Sequence, residues 1–503
     1  MMSLPVPVLG GDWPDPSFIR DGKGYAAVTT SGGWAPSFRI LQSDDLTAWR
    51  IGGSVFRRPP RWVRGTLWAP EITRLSGRYA VFYSAMPRRN GPWYCLGVAT
   101  APTAAGPYRD RGRPLRCGRY GSIDPHVVRD ERGRLHLLWK EDGNAFRRPT
   151  RILAQRMSED GRRLHGRRHT LIRNRSAWER GVVEAPTVIR HEGFFYLFYS
   201  GNVCCSDHCA YAVGVARSTT LLGRWRRNPA NPILRGGNGW RCPGHASVLL
   251  DPAGGHKALF HAYRKKAGLL IGRQLLVDEV TFASDGWPRI GAGVPAPVAP
   301  GAASTAFRDE FTGPALAVDW EWPVERPPGI RVGGALRLRG ARRNGTRVDA
   351  AVVSRRVATD LYSAIAVVDR GALRGRVLAG LASYGSRRVG IGVAVGRQRL
   401  IVWRRRKGRY RVLAQTKAPS QPLTHLRLRA RYRTVRFEFS GDGSTWTPIG
   451  PARYTPVEES ARIALTVGGA RRAVGAFTRA SLIESADPLY RMEISELSPT
   501  TKR

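Results

Sequence analysis

Long apolar runs and helical periodicity are scarce in this chain of 503 residues. No stretch of roughly 18 apolar residues occurs, which excludes a membrane-spanning helix. The 57 Gly, 35 Pro and 15 Trp are instead typical of many short strands joined by turns. The sequence therefore predicts an all-β protein. Its length is too great for one ordinary core, so we expect two or three domains.

Lysine is also scarce: only eight of the 82 basic residues are Lys. Arginine therefore supplies most of the positive charge behind the formal net charge of +44. Clustered basic residues favour nucleic acid, since they release counterions when they neutralise phosphates. Here the arginines are spread over both halves of the chain, with local runs such as Arg404–Lys407. We expect neither a nucleic-acid nor a membrane partner. The charge predicts only non-specific adhesion to anionic polymers, acidic plant polysaccharide included.

Cysteine is absent from the second half, since all six lie in the first 290 residues. Their even number is compatible with disulfides and secretion. The first 11 residues are too short and uncharged for a secretory signal, which points to the cytoplasm, so the compartment stays open. Within Cys204–Cys209, adjacent cysteines are awkward for tetrahedral zinc and no second ligand pair fits. A loop disulfide or buried thiols are favoured there.

Five short polar signatures recur through the first 290 residues, at separations of 53 to 61 residues. They centre on Asp15, Glu71, Asp124, Glu184 and His245, and an apolar-aromatic run follows each of the last four. This period suits one four-stranded propeller blade better than a helical repeat. Because the innermost strand of each blade lines one central channel, carboxylates at equivalent positions are expected to face one another there.

A change of composition marks a predicted domain boundary. Residues 291–305 are small, Pro-rich and aperiodic, which is typical of a linker. Beyond them, alternating segments such as Val389–Val395 and Val435–Phe439 indicate an antiparallel β-sandwich over residues 306–495. We therefore predict a catalytic five-bladed β-propeller over residues 1–290, a linker and an accessory sandwich. The sandwich lacks an acid–base set and is assigned to support or binding.

Three carboxylates of the repeat suit chemistry on a glycosidic bond. Hydrolysis needs a carboxylic acid that protonates the leaving oxygen and a carboxylate that activates water or attacks directly. The two pKa values must lie apart, and a third carboxylate raises that of the acid by repulsion. Asp15, Asp124 and Glu184, on three different blades, could supply this set. Each alone is a common turn residue, but their shared position in the repeat favours catalysis.

Resemblance to glycoside hydrolase family 43 rests on five ordered motifs, namely Trp13–Pro16, Ile123–Pro125, Val183–Thr187, Gly272–Leu276 and Asp285–Pro288. It covers residues 12 to about 290. It implies five-bladed propeller enzymes that act on arabinose- and xylose-containing polysaccharides and invert the anomeric configuration. The segment that begins at Phe307 resembles the concanavalin-like β-sandwich that many members carry after the propeller.

The resemblance also implies roles for individual residues. Asp15 matches the general base, Glu184 the general acid, and Asp124 the residue that orients the acid and raises its pKa. Arg273 matches an arginine that reaches the terminal sugar. His245 matches a histidine at the channel floor that often lies beside a calcium ion or a water. A structural calcium is therefore predicted near His245, while the chemistry itself requires no cofactor.

Four further side chains are predicted to contact substrate. Phe38, Trp68 and Trp93 lie in the first two repeats, where aromatic faces could stack on sugar rings, although buried packing explains such residues at least as often. Lys140 follows the apolar run of the third repeat. Its ammonium could donate to a substrate hydroxyl, or the residue could lie in a solvated turn.

The predicted function is release of arabinofuranosyl or xylosyl residues, of the α-L-arabinofuranosidase or β-D-xylosidase type. The segment Cys204–Cys209 follows closely on the repeat of the predicted acid and would narrow a groove into a pocket, which favours exo action. An endo-arabinanase on the same fold and a non-catalytic carbohydrate-binding propeller are the alternatives. A retaining fructan hydrolase is disfavoured, because Ser122–Pro125 stands where an Arg-Asp-Pro motif would be needed.

Overall fold

A computed structural model describes residues 7–89, 93–251, 254–265, 268–298, 304–342, 345–455 and 460–484. The chain forms two compact units, the first built mainly from Trp13–Gly268 and Arg273–Ala302, the second mainly from Ala303–Arg503. Part of the predicted linker, 299–303, and the end of the predicted sandwich, 485–495, lie outside the described residues. Within these ranges, no helix is long and apolar enough to cross a membrane.

Five antiparallel sheets follow one another along the first unit, and each is one blade of a five-bladed β-propeller. Blade one contains Ser17–Asp21, Gly24–Val28, Ser37–Ser43 and Arg50–Phe56. Blade two contains Val63–Leu75, Arg78–Pro87, Cys95–Ala101, Arg109–Asp110 and Arg116–Cys117. Blade three contains Ser122–Arg129, Leu135–Glu141, Arg151–Met157 and Leu164–Arg173. Blade four contains Val183–His191, Phe194–Gly201, Ala212–Ser218 and Arg226–Arg227. Blade five contains Trp240–Leu250, His256–Arg264, Arg273–Phe282 and Pro288–Ile290.

The apolar-aromatic runs of the repeat form the second strand of blades two to five. In Phe194–Gly201, for example, every residue after the first is buried. Both faces of such a strand are covered, which explains why the sequence is continuously apolar rather than alternating. Helical segments are short: Gly268–Ile271 is α-helical, while Gly143–Phe146, Ala177–Glu179 and Arg370–Ala372 are 3₁₀ turns.

In every blade one residue with left-handed backbone occupies an equivalent position, just before the innermost strand or within it. These residues are Asp15 (φ 54°), Ala69 (φ 41°), Asp124 (φ 55°), Ala185 (φ 53°) and His245 (φ 51°). In blades two to five the pairing with the second strand shifts at the same place, which is the signature of a bulge. The structure therefore corrects the predicted phase: Ala69 and Ala185 are equivalent to Asp15, whereas Glu71 lies two residues after Ala69 and Glu184 lies one residue before Ala185.

Side chains from other blades satisfy the backbone N–H groups at these bulges. The bonds run from Asp124 N to Ser84 Oγ (3.1 Å), from His245 N to Ser200 Oγ (2.9 Å), from Ala69 N to Thr30 Oγ1 (2.5 Å), from Ala185 N to Asp124 Oδ2 (3.0 Å) and from Asp15 N to His261 Nδ1 (3.1 Å). Each acceptor comes from the preceding blade, and the Asp15–His261 bond joins blade one to blade five. The ring of contacts is thereby closed, and no strained N–H is left unpaired at these positions.

The second unit is a β-sandwich of two antiparallel sheets, as predicted. The nine-stranded sheet contains Phe307–Asp309, Gly329–Arg331, Leu336–Arg339, Leu361–Asp369, Leu423–Arg431, Thr434–Ser440, Thr447–Pro448, Arg453–Tyr454 and Val474–Glu484. The six-stranded sheet contains Ala351–Arg356, Leu378–Ser386, Val389–Val395, Arg399–Arg406, Arg409–Lys417 and Arg462–Gly468. The short segments Trp34–Ala35 and Trp322–Pro323 are also extended. Apolar side chains of both large sheets form one core.

Three of the buried carboxylates of the sandwich each contact two arginines. Glu321 lies 2.8 Å from Arg356 and 2.7 Å from Arg462. The equivalent pairs are Asp349 with Arg347 and Arg405, and Glu438 with Arg427 and Arg429. Burying a carboxylate is costly unless it is paired and hydrogen-bonded, so these clusters explain how the sandwich carries charge inside.

Candidate active site

Residues from all five blades line one pocket of about 480 Å³. The three predicted catalytic carboxylates, Asp15, Asp124 and Glu184, are among them. The other lining residues include Trp68, Ile123, Lys140, Asp142, Asn144, Asn202, Val203, Cys204, Cys205, Tyr211, His245 and Arg273. Residues that are more than fifty positions apart in sequence are thus gathered by the propeller around one cavity.

Asp15 is surrounded by cationic and imidazole groups. Its Oδ1 lies 2.8 Å from Arg273 Nη1, 3.4 Å from His245 Nδ1 and 3.5 Å from His261 Nδ1. Burial alone would raise the pKa of Asp15, but Arg273 and the two histidines outweigh it and hold that pKa well below its usual range. Asp15 is therefore an ionised carboxylate in the pocket, which is the state that a general base needs.

Asp124 has the opposite electrostatic character. Its side chain is buried, and its Oδ2 accepts a hydrogen bond from the backbone N–H of Ala185. Burial is the largest effect on its pKa; His245 opposes it, the neighbouring Glu184 adds to it, and the result is a pKa raised to about 7. Two carboxyl groups of one pocket are thus held at pKa values far apart, which is the arrangement that acid–base chemistry requires.

Glu184 receives two hydrogen bonds from buried donors. The Tyr211 hydroxyl donates to Oε1 at 2.6 Å, and the Lys140 ammonium donates to Oε2 at 2.5 Å. Lys140 also lies 2.9 Å from Asp142 Oδ1. Burial lowers the pKa of Lys140, but the Glu184 and Asp142 carboxylates outweigh it, so that its pKa lies above the usual range and the ammonium stays charged. These contacts fix the orientation of the Glu184 carboxyl.

Lys140 is only 1% exposed, so the structure excludes the solvated turn that the sequence left open. Because the residue lines the pocket, its predicted contact with substrate stays a prediction. The ion pairs with Glu184 and Asp142 place its ammonium beside the Glu184 carboxyl.

Tyr211 is a site residue that the sequence reasoning missed. Burial raises its pKa well above the usual range, and the Glu184 charge adds to the effect, so the hydroxyl remains a donor. An internal repeat could have found it, because Tyr211–Ala216 (Tyr-Ala-Val-Gly-Val-Ala) matches Tyr94–Ala99 (Tyr-Cys-Leu-Gly-Val-Ala) in blade two. Each tyrosine immediately precedes the third strand of its blade. Both reach the pocket region, where Tyr94 stacks on Trp68.

The three predicted aromatic contacts have different surroundings. Trp68 is 37% exposed, lines the pocket and stacks on Tyr94 with ring centroids 3.9 Å apart. Phe38 is completely buried between Phe56 and Tyr83 in the core of the first two blades. Its predicted role in sugar binding is therefore not supported, because no face of the ring is accessible.

Trp93 is half-buried and packs on Phe146 with ring centroids 4.1 Å apart. It lies outside the set of described residues that line the pocket. Of the three aromatic residues, Trp68 alone combines exposure with a place in the pocket wall, so it is the one that geometry retains as a platform for a sugar ring.

Glu71 and His126 form a separate network. Glu71 accepts a hydrogen bond from Ser17 Oγ at 2.7 Å, and its Oε1 lies 2.9 Å from His126 Nδ1. The backbone N–H of Val188 donates to His126 Nε2 at 2.9 Å, so the ring proton is on Nδ1 and faces Glu71. This network joins blades one to four, which accounts for a carboxylate in the repeat that has no assigned chemical role.

All six cysteines are paired in disulfides: Cys95 with Cys117, Cys204 with Cys205, and Cys209 with Cys242. The interpretation of Cys204–Cys209 as disulfide-bonded rather than zinc-binding therefore agrees with the structure. Cys204 and Cys205, adjacent in sequence, both line the pocket.

The calcium predicted near His245 has no ligand set of its own in the part of the chain that the structure describes. No group of three or more His, Cys, Asp or Glu side chains there could hold a metal ion. Calcium prefers six to eight oxygen ligands, whereas His245 faces Asp15, whose Oδ1 already pairs with Arg273. The residues present do not fit direct coordination, so the calcium stays a prediction and no chemical step below depends on it.

Comparison with known proteins agrees with the family resemblance of the sequence, both for the propeller and for the sandwich. Residues 4–288 match the model of glycosyl hydrolases family 43, and residues 308–469 match the model of the beta xylosidase C-terminal concanavalin A-like domain. Because the first match covers more than half of the chain, the chain belongs to glycosyl hydrolases family 43. It is a glycoside hydrolase that cleaves O-glycosyl bonds with inversion of configuration.

Individual relatives have low sequence identity to this chain, but their alignments cover much of its length. The chain is 25% identical over 492 residues to "Xylosidase/arabinosidase 43B" of Humicola insolens, with 88% of each chain covered. It is 24% identical over 294 residues to "Extracellular endo-alpha-(1->5)-L-arabinanase 1" of Bacillus subtilis (strain 168), covering 54% of this chain and 86% of that protein. The crystal structure of the GH43 BlXynB protein from Bacillus licheniformis has a TM-score of 0.82 at 21% identity, covering 96% and 100%. That structure supports the fold of the units.

Proposed function

We propose that this glycoside hydrolase releases single arabinofuranosyl or xylosyl residues from plant-type polysaccharides or their oligosaccharides. The observation that carries the proposal is the meeting of Asp15, Asp124 and Glu184 in one pocket with Arg273 beside the first and Lys140 beside the last. The relative of Humicola insolens carries both xylosidase and arabinosidase in its name, which supports pentose substrates.

In the proposed mechanism, Asp15 is the general base. Its depressed pKa keeps the carboxylate ionised, so it can accept a proton from the water that attacks the anomeric carbon. Arg273 and His245 hold this carboxylate in place through contacts at 2.8 Å and 3.4 Å. The C–O bond formed by the water lies on the opposite face of the sugar from the bond that breaks, and configuration inverts.

Glu184 is the general acid and donates its proton to the leaving glycosidic oxygen. The raised pKa of Asp124, about 7, allows this buried carboxyl group to hold a proton beside Glu184 at neutral pH. We propose that Asp124 keeps this proton available and that Lys140 and Tyr211 orient the Glu184 carboxyl for transfer.

The size of the pocket supports exo action. A cavity of about 480 Å³ whose lining includes the Val203–Cys205 segment is suited to one terminal sugar with part of the next. The similarity to an endo-arabinanase of Bacillus subtilis favours internal cleavage of arabinan as the second candidate.

Product analysis separates these candidates. The purified protein would be assayed on nitrophenyl α-L-arabinofuranoside and nitrophenyl β-D-xyloside, and its products from linear arabinan and xylo-oligosaccharides followed over time. We expect monosaccharide alone from the earliest time point. Early mixed oligosaccharides from arabinan would replace exo action by endo action, and inactivity on all of these substrates would overturn the proposal. The Asp15→Asn variant serves as the control for contaminating hydrolases.

A further inference from the structure

The wall of the active-site pocket contains a disulfide between adjacent residues, Cys204 and Cys205. Cys204 is half-buried and Cys205 is exposed, and Val203, which precedes them in the lining, is 47% exposed. Two bonded sulfurs carry no S–H donor, so this segment presents an apolar, polarisable surface to the cavity. Exposed apolar side chains inside a ligand pocket are the groups that contact the apolar parts of a ligand.

The sulfur pair lies close to the catalytic groups. Cys204 Sγ is 4.0 Å from Arg273 Nη1, and the same nitrogen is 2.8 Å from Asp15 Oδ1. A sugar whose anomeric carbon is presented to Asp15 therefore lies within reach of Cys204 as well. The Glu184 carboxyl is held by Lys140 and Tyr211.

The segment that carries the disulfide is fastened to blade five. A second disulfide joins Cys209 to Cys242, in the innermost strand Trp240–Leu250, and Arg241 Nη1 donates to the backbone oxygen of Asp207 at 2.8 Å. The Ala210 N–H donates to the Val203 oxygen at 3.0 Å and closes the loop. A wall held in this way is pre-organised, so little ordering entropy opposes binding.

We propose that the Cys204–Cys205 disulfide is a specificity-determining contact surface for the C–H face of the terminal sugar, additional to Trp68. The inference rests on the proposed function, because it assumes that the pocket takes a sugar. Two separate thiols at these positions would be free to rotate apart and would be hydrated. Opening the disulfide therefore weakens sugar binding while the acid and the base keep their places.

The test compares two double variants that each remove one disulfide. Cys204→Ser/Cys205→Ser removes the pocket disulfide. Cys95→Ser/Cys117→Ser removes the disulfide of blade two, and neither Cys95 nor Cys117 lines the pocket. For the pocket variant we expect KM to rise about tenfold, the lower end of what one lost apolar contact costs in a sugar-sized pocket, with kcat unchanged. The control should keep the wild-type KM. An unchanged KM in a folded pocket variant, shown by thermal unfolding, overturns the inference.

A second measurement covers the case in which the pocket variant does not fold. Wild-type protein is treated under native conditions with a phosphine, which takes oxygen from water while the disulfide gains two electrons and two protons. The new thiols are alkylated with iodoacetamide and located by mass spectrometry. KM should rise in step with alkylation of Cys204 and Cys205. Complete alkylation of this pair without a change in KM overturns the inference.

If the proposed function is wrong, the wild-type protein itself, and not only the pocket variant, gives a different result. Wild-type protein inactive on every arabinofuranoside and xyloside would overturn the function and leave kinetics uninformative. Calorimetric titration with L-arabinose and D-xylose then replaces KM. Weaker binding by the pocket variant than by the Cys95→Ser/Cys117→Ser control supports the contact surface, and equal binding or no binding by either protein overturns it.

Discussion

The propeller and the sandwich both bury carboxylates, but they neutralise them differently. In the sandwich, Glu321 is shared by two arginines at 2.8 Å and 2.7 Å, so cations outnumber the carboxylate. In the pocket, Asp124 and Glu184 share the single ammonium of Lys140 with Asp142. The carboxylates outnumber the cation there.

The electrostatic result differs accordingly. Arg405 and Arg347 outweigh the burial of Asp349 in the sandwich and lower its pKa, so it stays charged throughout the physiological range. In the pocket, the pKa of Asp124 is raised to about 7 and that of Asp15 is depressed. Where cations outnumber a buried carboxylate, the carboxylate stays ionised. Where carboxylates outnumber the cations, one carboxyl group has a raised pKa and can exchange its proton near neutral pH.

The largest expected effect comes from removing charge at the pocket. Asp15→Asn and Glu184→Gln should each lower kcat by about 10²–10⁴-fold, the usual scale for a positioned acid or base. Both variants should still fold, since neither substitution removes apolar burial, although the unfolding temperature should fall because each removes an ion pair, with Arg273 or with Lys140. Wild-type-like turnover of an aryl glycoside by either variant would remove that residue from the mechanism.

The same chemical change in the sandwich should affect stability instead. Glu321→Gln leaves Arg356 and Arg462 buried without a full counter-charge, and we expect a loss of about 3 kcal/mol in the free energy of unfolding of this unit. Denaturant unfolding followed by tryptophan fluorescence measures it. The kcat per folded molecule should stay at the wild-type value. A hundredfold loss of kcat would contradict the assignment of catalysis to the propeller and of this carboxylate to stability alone.

The pH dependence sharpens the contrast. Asp124 loses its proton as pH rises through its raised pKa of about 7, so kcat/KM should fall about tenfold per pH unit above about pH 7. Asp15 stays ionised down to low pH because its pKa is depressed, so the acidic limb should lie below about pH 4. A profile that is flat to pH 9, measured on an aryl glycoside, would show that the Asp124 carboxyl does not carry the proton.

A smaller effect is expected from the ammonium that the two pocket carboxylates share. Lys140 lowers the pKa of Asp124, so Lys140→Met should move the alkaline limb of the kcat/KM profile upward by about one pH unit and reduce kcat by about tenfold. Lys257→Met, which removes an ion pair with Glu279 in blade five, is the matched control. A merely structural Lys140 would change stability and leave the limb where it was.

Some of the site could be predicted because it depends on residue type and period. The repeat placed Asp15, Asp124 and Glu184 on three blades, and the pocket contains all three. The family resemblance and the fold class were confirmed. The failures concern direction: Phe38 occupies the core, while Tyr211 went unnoticed beside Glu184. In a strand, one residue of register decides which face a side chain occupies, and bulges change that register in the innermost strands of blades two to five.

The sequence by itself determined the class of architecture and the chemical groups available. A period of 53 to 61 residues suits a propeller blade better than a helical repeat, and alternation after residue 305 indicates a sandwich. Only the tertiary structure decided that Lys140 is shared by Glu184 and Asp142, and that Cys204 lies 4.0 Å from Arg273. The reason is that pKa values and contacts depend on distances between blades, and these distances are set when blade five closes on blade one through Asp15 and His261.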